Sequence, residues 1–208
     1  MIKKIAVILS IIFSFTFVWL LNVSCEKNNF TTNPEDKLIF SKDTVQFDTV
    51  FTQKGSATRY FVIKNSNKQK PILINKIFLA GGDNSPYRIN IDGFPVNNIN
   101  DYELERGDSL FIFVEVTINP GQNDLVEEDS IVFVSNGNVQ NVKLIAFGQN
   151  VTLLNSKFIS NDTTWTDTKP VLIYNSALVE ENVTLQVTPG AKVYFHRGAS
   201  LFVKGSIK

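Results

Sequence analysis

The side chains that most often carry chemistry are nearly missing from these 208 residues: there is one cysteine, Cys25, and one histidine, His196. A lone thiol has no partner for an intrachain disulfide. A lone imidazole supplies neither a zinc ligand set nor a nucleophile–histidine pair with an orienting acid. His196 stands beside Arg197 and reads as an exposed turn residue. Neither sign of charge is in excess, since 20 Lys+Arg face 20 Asp+Glu. The basic residues are scattered, with no run that alternates with exposed aromatics, so no nucleic-acid partner is indicated. No polybasic patch for a membrane surface occurs. After residue 24 no segment sustains a helical period. No cofactor motif is present.

What is there begins at the N-terminus. Lys3 and Lys4 precede an uncharged apolar run from Ile5 to Leu21, the layout of an export signal. A retained membrane helix is the alternative, because the run reaches the lower edge of a bilayer span. Small Ser24 before Cys25, with the polar stretch EKNNFTTNPEDK following, favours cleavage. The Ser24–Cys25 junction resembles the lipobox of bacterial lipoproteins, with Asn22 where that pattern usually has leucine. The resemblance implies a signal peptide over 1–24, acylation of Cys25 by palmitate-type chains and a flexible tether over 25–37. Membrane attachment would then rest on the lipid alone, at the outer membrane or its periplasmic face.

From 38 to 150 short runs of alternating apolar residues, rich in Val, Ile, Phe and Tyr, are separated by turn residues, which predicts an all-β sandwich. The predicted strands are LIF from 38, TVQFDTVF from 44, RYFVIKN from 59, ILINKIFLA from 72, YRINID from 87, SLFIFVEVTI from 109, SIVFVSN from 130 and NVQNVKLIAFG from 138. Asn136-Gly137 joins the last two, the pair that best tolerates a type I′ hairpin turn. Strand 109–118 sets Leu110, Ile112, Val114 and Val116 on one face and Phe111 and Phe113 on the other, so cover on both faces is expected, from a neighbouring module on the second. The strand ending in Asn65, the Gly107-Asp108 turn before a long strand and the late Gly148-Gln149 exit together resemble immunoglobulin-like domains of the Hydin and abnormal-spindle type. In bacterial envelope proteins that resemblance implies a spacer or interaction module.

Residues 151–183 read as a connection with one or two short strands around PVLIYN. Three octets follow, TLQVTPGA, KVYFHRGA and SLFVKGSI, with apolar pairs Leu185/Val187, Val193/Phe195 and Leu201/Val203, and glycines at 190, 198 and 205. Such spacing fits the first coils of a β-solenoid over 184–208, and equally a three-fold hairpin meander. The segment VTPGAKVYF resembles the opening coils of right-handed parallel β-helix proteins, some of which cleave or bind polysaccharides. The solenoid reading implies a stub whose last octet leaves Leu201, Val203 and Ile207 on an open edge, and therefore a truncated domain.

Several patterns are candidate sites. Asp83, Asn84, Ser85 and Asp92 offer oxygen ligands suited to calcium, without the spacing of a known loop, and a Gly-Gly-Asp-Asn turn accounts for them as well. Asp101-Glu103-Glu105 and Glu127-Glu128-Asp129 are acidic, but glycosidase carboxylates must face each other across a cleft, so solvated charges before strands are the better reading. Arg106-Gly107-Asp108-Ser109 matches a cell-adhesion tetrapeptide and lies where the sandwich needs a turn. Asn-x-Ser/Thr sequons start at Asn29, Asn150, Asn161 and Asn182. Asp-Ser/Thr triplets at Asp43, Asp48, Asp108, Asp129 and Asp162 resemble O-glycosylation sites of exported Bacteroidota-type proteins.

The sequence therefore leads to a lipid-anchored envelope protein: an immunoglobulin-like β-sandwich, then a short β-solenoid stub. No catalytic residue is assigned, and the function expected is a non-catalytic tether, spacer or binding module for carbohydrate or an envelope protein. The alternative is the N-terminal part of a β-helix polysaccharide lyase or hydrolase whose active site lies beyond residue 208. The anchor is directly testable. Cys25→Ala is expected to move the protein from the membrane fraction to the soluble fraction with residues 1–24 removed. Retention in the membrane with 1–24 intact would identify the apolar run as a membrane helix.

Overall fold

Period-two alternation buries every second side chain, and in this protein it does so around two separate cores. The computed structural model describes residues 29–120 and 126–208, so the apolar run and the Ser24–Cys25 junction lie outside the described residues. Residues Thr31–Lys208 form one compact unit. Its first module contains β1 (Leu38–Phe40), β2 (Thr44–Phe51), β3 (Arg59–Asn65), β4 (Ile72–Leu79), β5 (Tyr87–Ile91), β6 (Phe94–Pro95), β7 (Asn98–Leu104), β8 (Ser109–Val116), β9 (Val126–Ser135) and β10 (Asn138–Gln149). The second contains β11 (Thr152–Ile159), β12 (Thr163–Trp165), β13 (Val171–Val179), β14 (Thr184–Val187), β15 (Val193–Phe195), β16 (Ser200–Val203) and β17 (Ser206–Ile207). Apart from one 3-10 turn at Gly82–Asn84, the described chain is strand and loop.

In the first module, a sheet of order β1-β3-β8-β5-β6 and a sheet of order β2-β10-β9-β4-β7 share a core built from both inner faces. Phe61, Ile63, Leu110, Ile112 and Val114 from one sheet and Ile74, Ile77, Phe133 and Leu144 from the other are almost wholly inaccessible. Each such side chain contributes about 1.5–3 kcal/mol by leaving water. Pairing is antiparallel except that β2 runs parallel to β10. The division of strands resembles that of immunoglobulin-like sandwiches. Asn136 and Gly137, with φ of 49° and 73°, form the two-residue turn between Ser135 and Asn138, which is the mirror-image turn that strand twist favours.

In this module the strand assignment differs from the sequence expectation, beginning with the short strand β6, which was not expected. Strand β7 was not among the predicted strands, because NINDYEL is polar; it is an edge strand paired only to β4, so one flank and most side chains stay in water. Strand β9 begins at Val126 rather than Ser130. Both acidic clusters thereby fall largely within strands, not in the loops before them.

Every strand pairing in the second module is parallel. β11, β13 and β15 pair in one sheet, with β16 also on β13, and β12, β14 and β17 pair in another. Strand β13 bends at Asn175, whose φ is 65°, so that β15 takes its first half and β16 its second. The region expected as a connection thus supplies three strands, and isolated Trp165 enters the second core. Neighbouring octets do not stack on one another: Thr163 pairs with Leu185 in the first octet, and Leu185 with Ile207 at the end of the third. Successive octets instead present Leu185, Val193 and Leu201 to one common core. Gly205 is required by proximity, since a Cβ there would be driven into the carbonyl oxygens of Glu180 and Val183.

The segment 106–109 is the turn into β8. Gly107 has φ of 70°, its N–H donates to the Asn67 carbonyl at 2.9 Å, and the Asp108 carbonyl accepts from the Asn65 N–H at 3.0 Å. Beneath it, fully buried Asn65 donates its side-chain amide to the carbonyls of Lys70, Leu104 and Glu105 at 3.0, 3.2 and 3.1 Å. Its Oδ1 accepts the Asn67 N–H at 2.9 Å. Asn65→Leu leaves those carbonyls without a donor, and unsatisfied buried groups cost about 1–3 kcal/mol each. We expect denaturant unfolding to show a loss of about 3 kcal/mol for Asn65→Leu and less than about 1 kcal/mol for exposed Lys64→Leu.

Candidate functional site

Of the candidate oxygen ligands, Asp83, Asn84 and Ser85 line one cleft and Asp92 is not part of it. Asp83 lies in the 3-10 turn and accepts the Asn97 amide at 3.4 Å, whereas Asp92 accepts the Tyr102 hydroxyl at 3.0 Å. Among the described residues no group of three or more His, Cys, Asp or Glu could hold a metal ion. Ser85 donates its hydroxyl to Asp129 at 2.5 Å, and Asp129 also accepts the Gly81 N–H at 3.0 Å. That carboxylate therefore holds the 81–85 loop against β9. Two tyrosines have raised pKa values: burial, and then the nearby Glu127, Asp129 and Glu128 carboxylates, push Tyr87 up, and burial with the Asp92 contact pushes Tyr102 up to about 12.

Where the two modules meet, the turn after β2 and the outward residues of β13 and β15 enclose an open groove of about 550 Å³, within the range of small-ligand clefts. Register explains its lining. Leu172 pairs with Tyr194 on the β13–β15 face, and the next outward position of β13 is Tyr174, whose ring lies 4.1 Å from the His196 ring. From the sandwich side Phe51 reaches Tyr194, with ring centroids 5.1 Å apart, and Lys54 places its ammonium 3.7 Å from the Tyr174 ring centre. A cation at that distance is attracted by the ring's negative face. Gln53, directly before Lys54, takes a φ of 68°, uncommon for a residue other than glycine; this left-handed turn directs the chain so that Lys54 enters the groove.

Asp48 is the one acidic side chain in the lining, and Arg59 engages it at 2.6 Å. Lys54 and Arg197 have no carboxylate partner among the described residues. Tyr194 and Phe195 remain open, with 37% and 51% of their surface accessible. His196, expected as a bland turn residue, stands at a turn and is exposed, but it belongs to this constellation. Lys54, Tyr174 and Tyr194 were not singled out from sequence, because nothing local to each connects the turn after β2 with β13 and β15.

A second surface is aromatic. Tyr60, Phe111 and Phe113 lie on the outer face of β3 and β8 with ring centroids 6.1–6.4 Å apart. They are 52%, 44% and 37% accessible, so the expected cover from a neighbouring module does not exist among the described residues.

No protein-family model matches the chain, and no curated protein matches it. Among solved structures it is similar to a family 123 glycoside hydrolase from Clostridium perfringens, at 10% identity and TM-score 0.39 over 60% of this chain and 25% of that one. It is also similar to a protein of unknown function from Porphyromonas gingivalis, at 8% identity and TM-score 0.39 over 60% of both chains. The Escherichia coli chaperone DraB aligns at 11% identity and TM-score 0.35 over 53% of this chain and 54% of that one. The chain thus spans a quarter of the length of the first and about 60% of the second. These likenesses bear on nothing in the groove.

The tyrosine environments set an alkaline limit. A phenol whose pKa is higher folded than unfolded contributes stability that is intact below its usual value of 10.0 and is lost as pH rises through about 12. Equilibrium unfolding is expected to lose stability between those values. The loss should be smaller in Tyr102→Phe than in the natural protein.

Proposed function

We propose that the chain is a non-catalytic binding and tethering protein of a bacterial cell envelope, anchored through acylated Cys25, and that the groove between its two modules holds carbohydrate. In this reading the sandwich is of the Hydin and abnormal-spindle type. The second module is the beginning of a right-handed parallel β-helix, a reading supported by the parallel register that carries Leu154 to Ile173 to Phe195 and Thr163 to Leu185 to Ile207. The observation that carries the function is the lining of the groove. Tyr194 and Phe195 expose aromatic surface beside polar and charged side chains, and a pyranose has the complementary make-up: an apolar C–H face that rests on a ring, and hydroxyls that need polar neighbours.

Such a site orients a sugar without supplying an acid–base pair. Glycoside cleavage needs two carboxyl groups facing across the bond, and the single lining carboxylate, Asp48, is occupied by Arg59. Titration calorimetry of the full-length protein with a panel of neutral and acidic oligosaccharides tests the reading. Binding of at least one is expected, weakened about tenfold (~1.4 kcal/mol) by Tyr194→Ala. The absence of any binding, or binding indifferent to Tyr194, would refute it.

A further inference from the structure

We infer that the sugar chain the groove takes is acidic, a uronate-bearing oligosaccharide whose carboxylates are met by Lys54 and Arg197 while its rings lie on Tyr194; this rests on the carbohydrate reading and adds the class of sugar. Positive charge in the groove is not balanced by its own residues. Lys54, Arg59 and Arg197 line the groove against the one acid Asp48. The Arg59–Asp48 contact at 2.6 Å consumes one charge of each sign. Two cations remain, with His196 between them in the lining as a further hydrogen-bonding group.

These cations are placed rather than adrift. Lys54 is half-buried, and its ammonium is held 3.7 Å from the Tyr174 ring. That ring also lies 4.1 Å from His196, so Tyr174 organises the cationic side and is itself taken up. Tyr194, with Phe51 against one side, and Phe195 keep accessible ring surface. Arg197 follows His196 at the turn after β15, and the His196 N–H is tied to the Ile173 carbonyl at 2.9 Å, which sets that turn on the bend of β13. A planar guanidinium suits a carboxylate through two parallel hydrogen bonds, and an ammonium suits it as a compact charge. A neutral sugar would leave half-buried Lys54 without a counter-charge and would make no use of the charge on exposed Arg197. A flexible acidic peptide would satisfy them but has no rigid C–H face for Tyr194.

The test compares two chains that differ only at C6: β-1,4-linked glucuronate hexamer and cellohexaose, titrated into the full-length protein by calorimetry at low and at near-physiological salt. We expect the glucuronate chain to bind about tenfold or more tighter, with the preference shrinking as salt rises. Lys54→Gln and Arg197→Gln should each lower glucuronate affinity about fivefold and cellohexaose affinity by a smaller factor, and Lys54→Arg should keep most of the glucuronate affinity. Thermal unfolding of each variant within about 2 °C of the natural protein confirms that folding is intact. Equal, Tyr194-dependent binding of both sugars would overturn the acidic preference and leave the carbohydrate reading standing. Binding of neither would overturn both. Poly-glutamate binding as tightly as the glucuronate hexamer, with the same response to Lys54→Gln, would overturn the sugar in favour of an acidic peptide.

Discussion

A single buried carboxamide sets the geometry from which the rest of the sandwich follows. Asn65 ends β3 with no contact to water, yet its side chain gives hydrogen bonds to three backbone carbonyls and accepts one from Asn67. Asn67 extends the network: its carbonyl takes the Gly107 N–H, its Oδ1 takes the N–H groups of Gln69 and Lys70, and its Nδ2 reaches Asp36, which also accepts the Thr31 hydroxyl. The lead-in to β1, the turn after β3 and the turn before β8 are thereby one polar unit, buried at Asn65 and open to water at Gln69, Lys70 and Gly107. At the buried Asn65 end a lost partner leaves a group, such as the Leu104 carbonyl, that water cannot reach. The network also pins register. Fixing the end of β3 fixes which of its residues face inward, and a slip of one position would send Phe61 and Ile63 to solvent and bring Tyr60 and Lys64 into the core.

The same register produces the outer aromatic face. Tyr60 lies opposite Phe113, and Val62 opposite Phe111, across β3 and β8, so aromatic side chains collect on the side turned away from the core. The Arg-Gly-Asp tripeptide owes its position to this scaffold. Its glycine supplies the left-handed conformation, and its aspartate accepts the Ser109 N–H at 2.7 Å, a local turn role that accounts for the residues present.

Two modules with different pairing rules meet at the groove. The sandwich satisfies backbone groups mainly between antiparallel neighbours, whereas the second module does so between parallel strands contributed by successive passes of the chain. Their junction brings the turn after β2 opposite the outer residues of β13 and β15. Beside the core residues Phe47 and Val50, the lining gathers side chains that neither core uses: Lys54 from a turn, Tyr174 and Tyr194 from outward positions, and His196 and Arg197 from the turn after β15. Facing away from both cores frees these residues from packing constraints and leaves them to face one another.

Local order was legible in the chain itself. Alternation marked most of the strands, Asn136-Gly137 marked its hairpin, and Leu185, Val187, Val193 and Leu201 of the octets pack in the second core while Phe195 and Val203 of the same pattern stay exposed; each local signal depends on a few neighbouring residues and the two-residue period of an extended backbone. Polar β7 escaped for the same reason: an edge strand is defined by its partner β4 and not by its own pattern. The stacking interval escaped as well. The octets repeat every eight residues, while parallel pairing joins Leu185 of the first to Ile207 at the end of the third. The groove lay furthest from the sequence, since Lys54, Tyr174, Tyr194 and Arg197 share no period and no neighbourhood. Alternation determined which way each side chain points, and only the packing of one module beside the other decided which of the outward-pointing ones would meet.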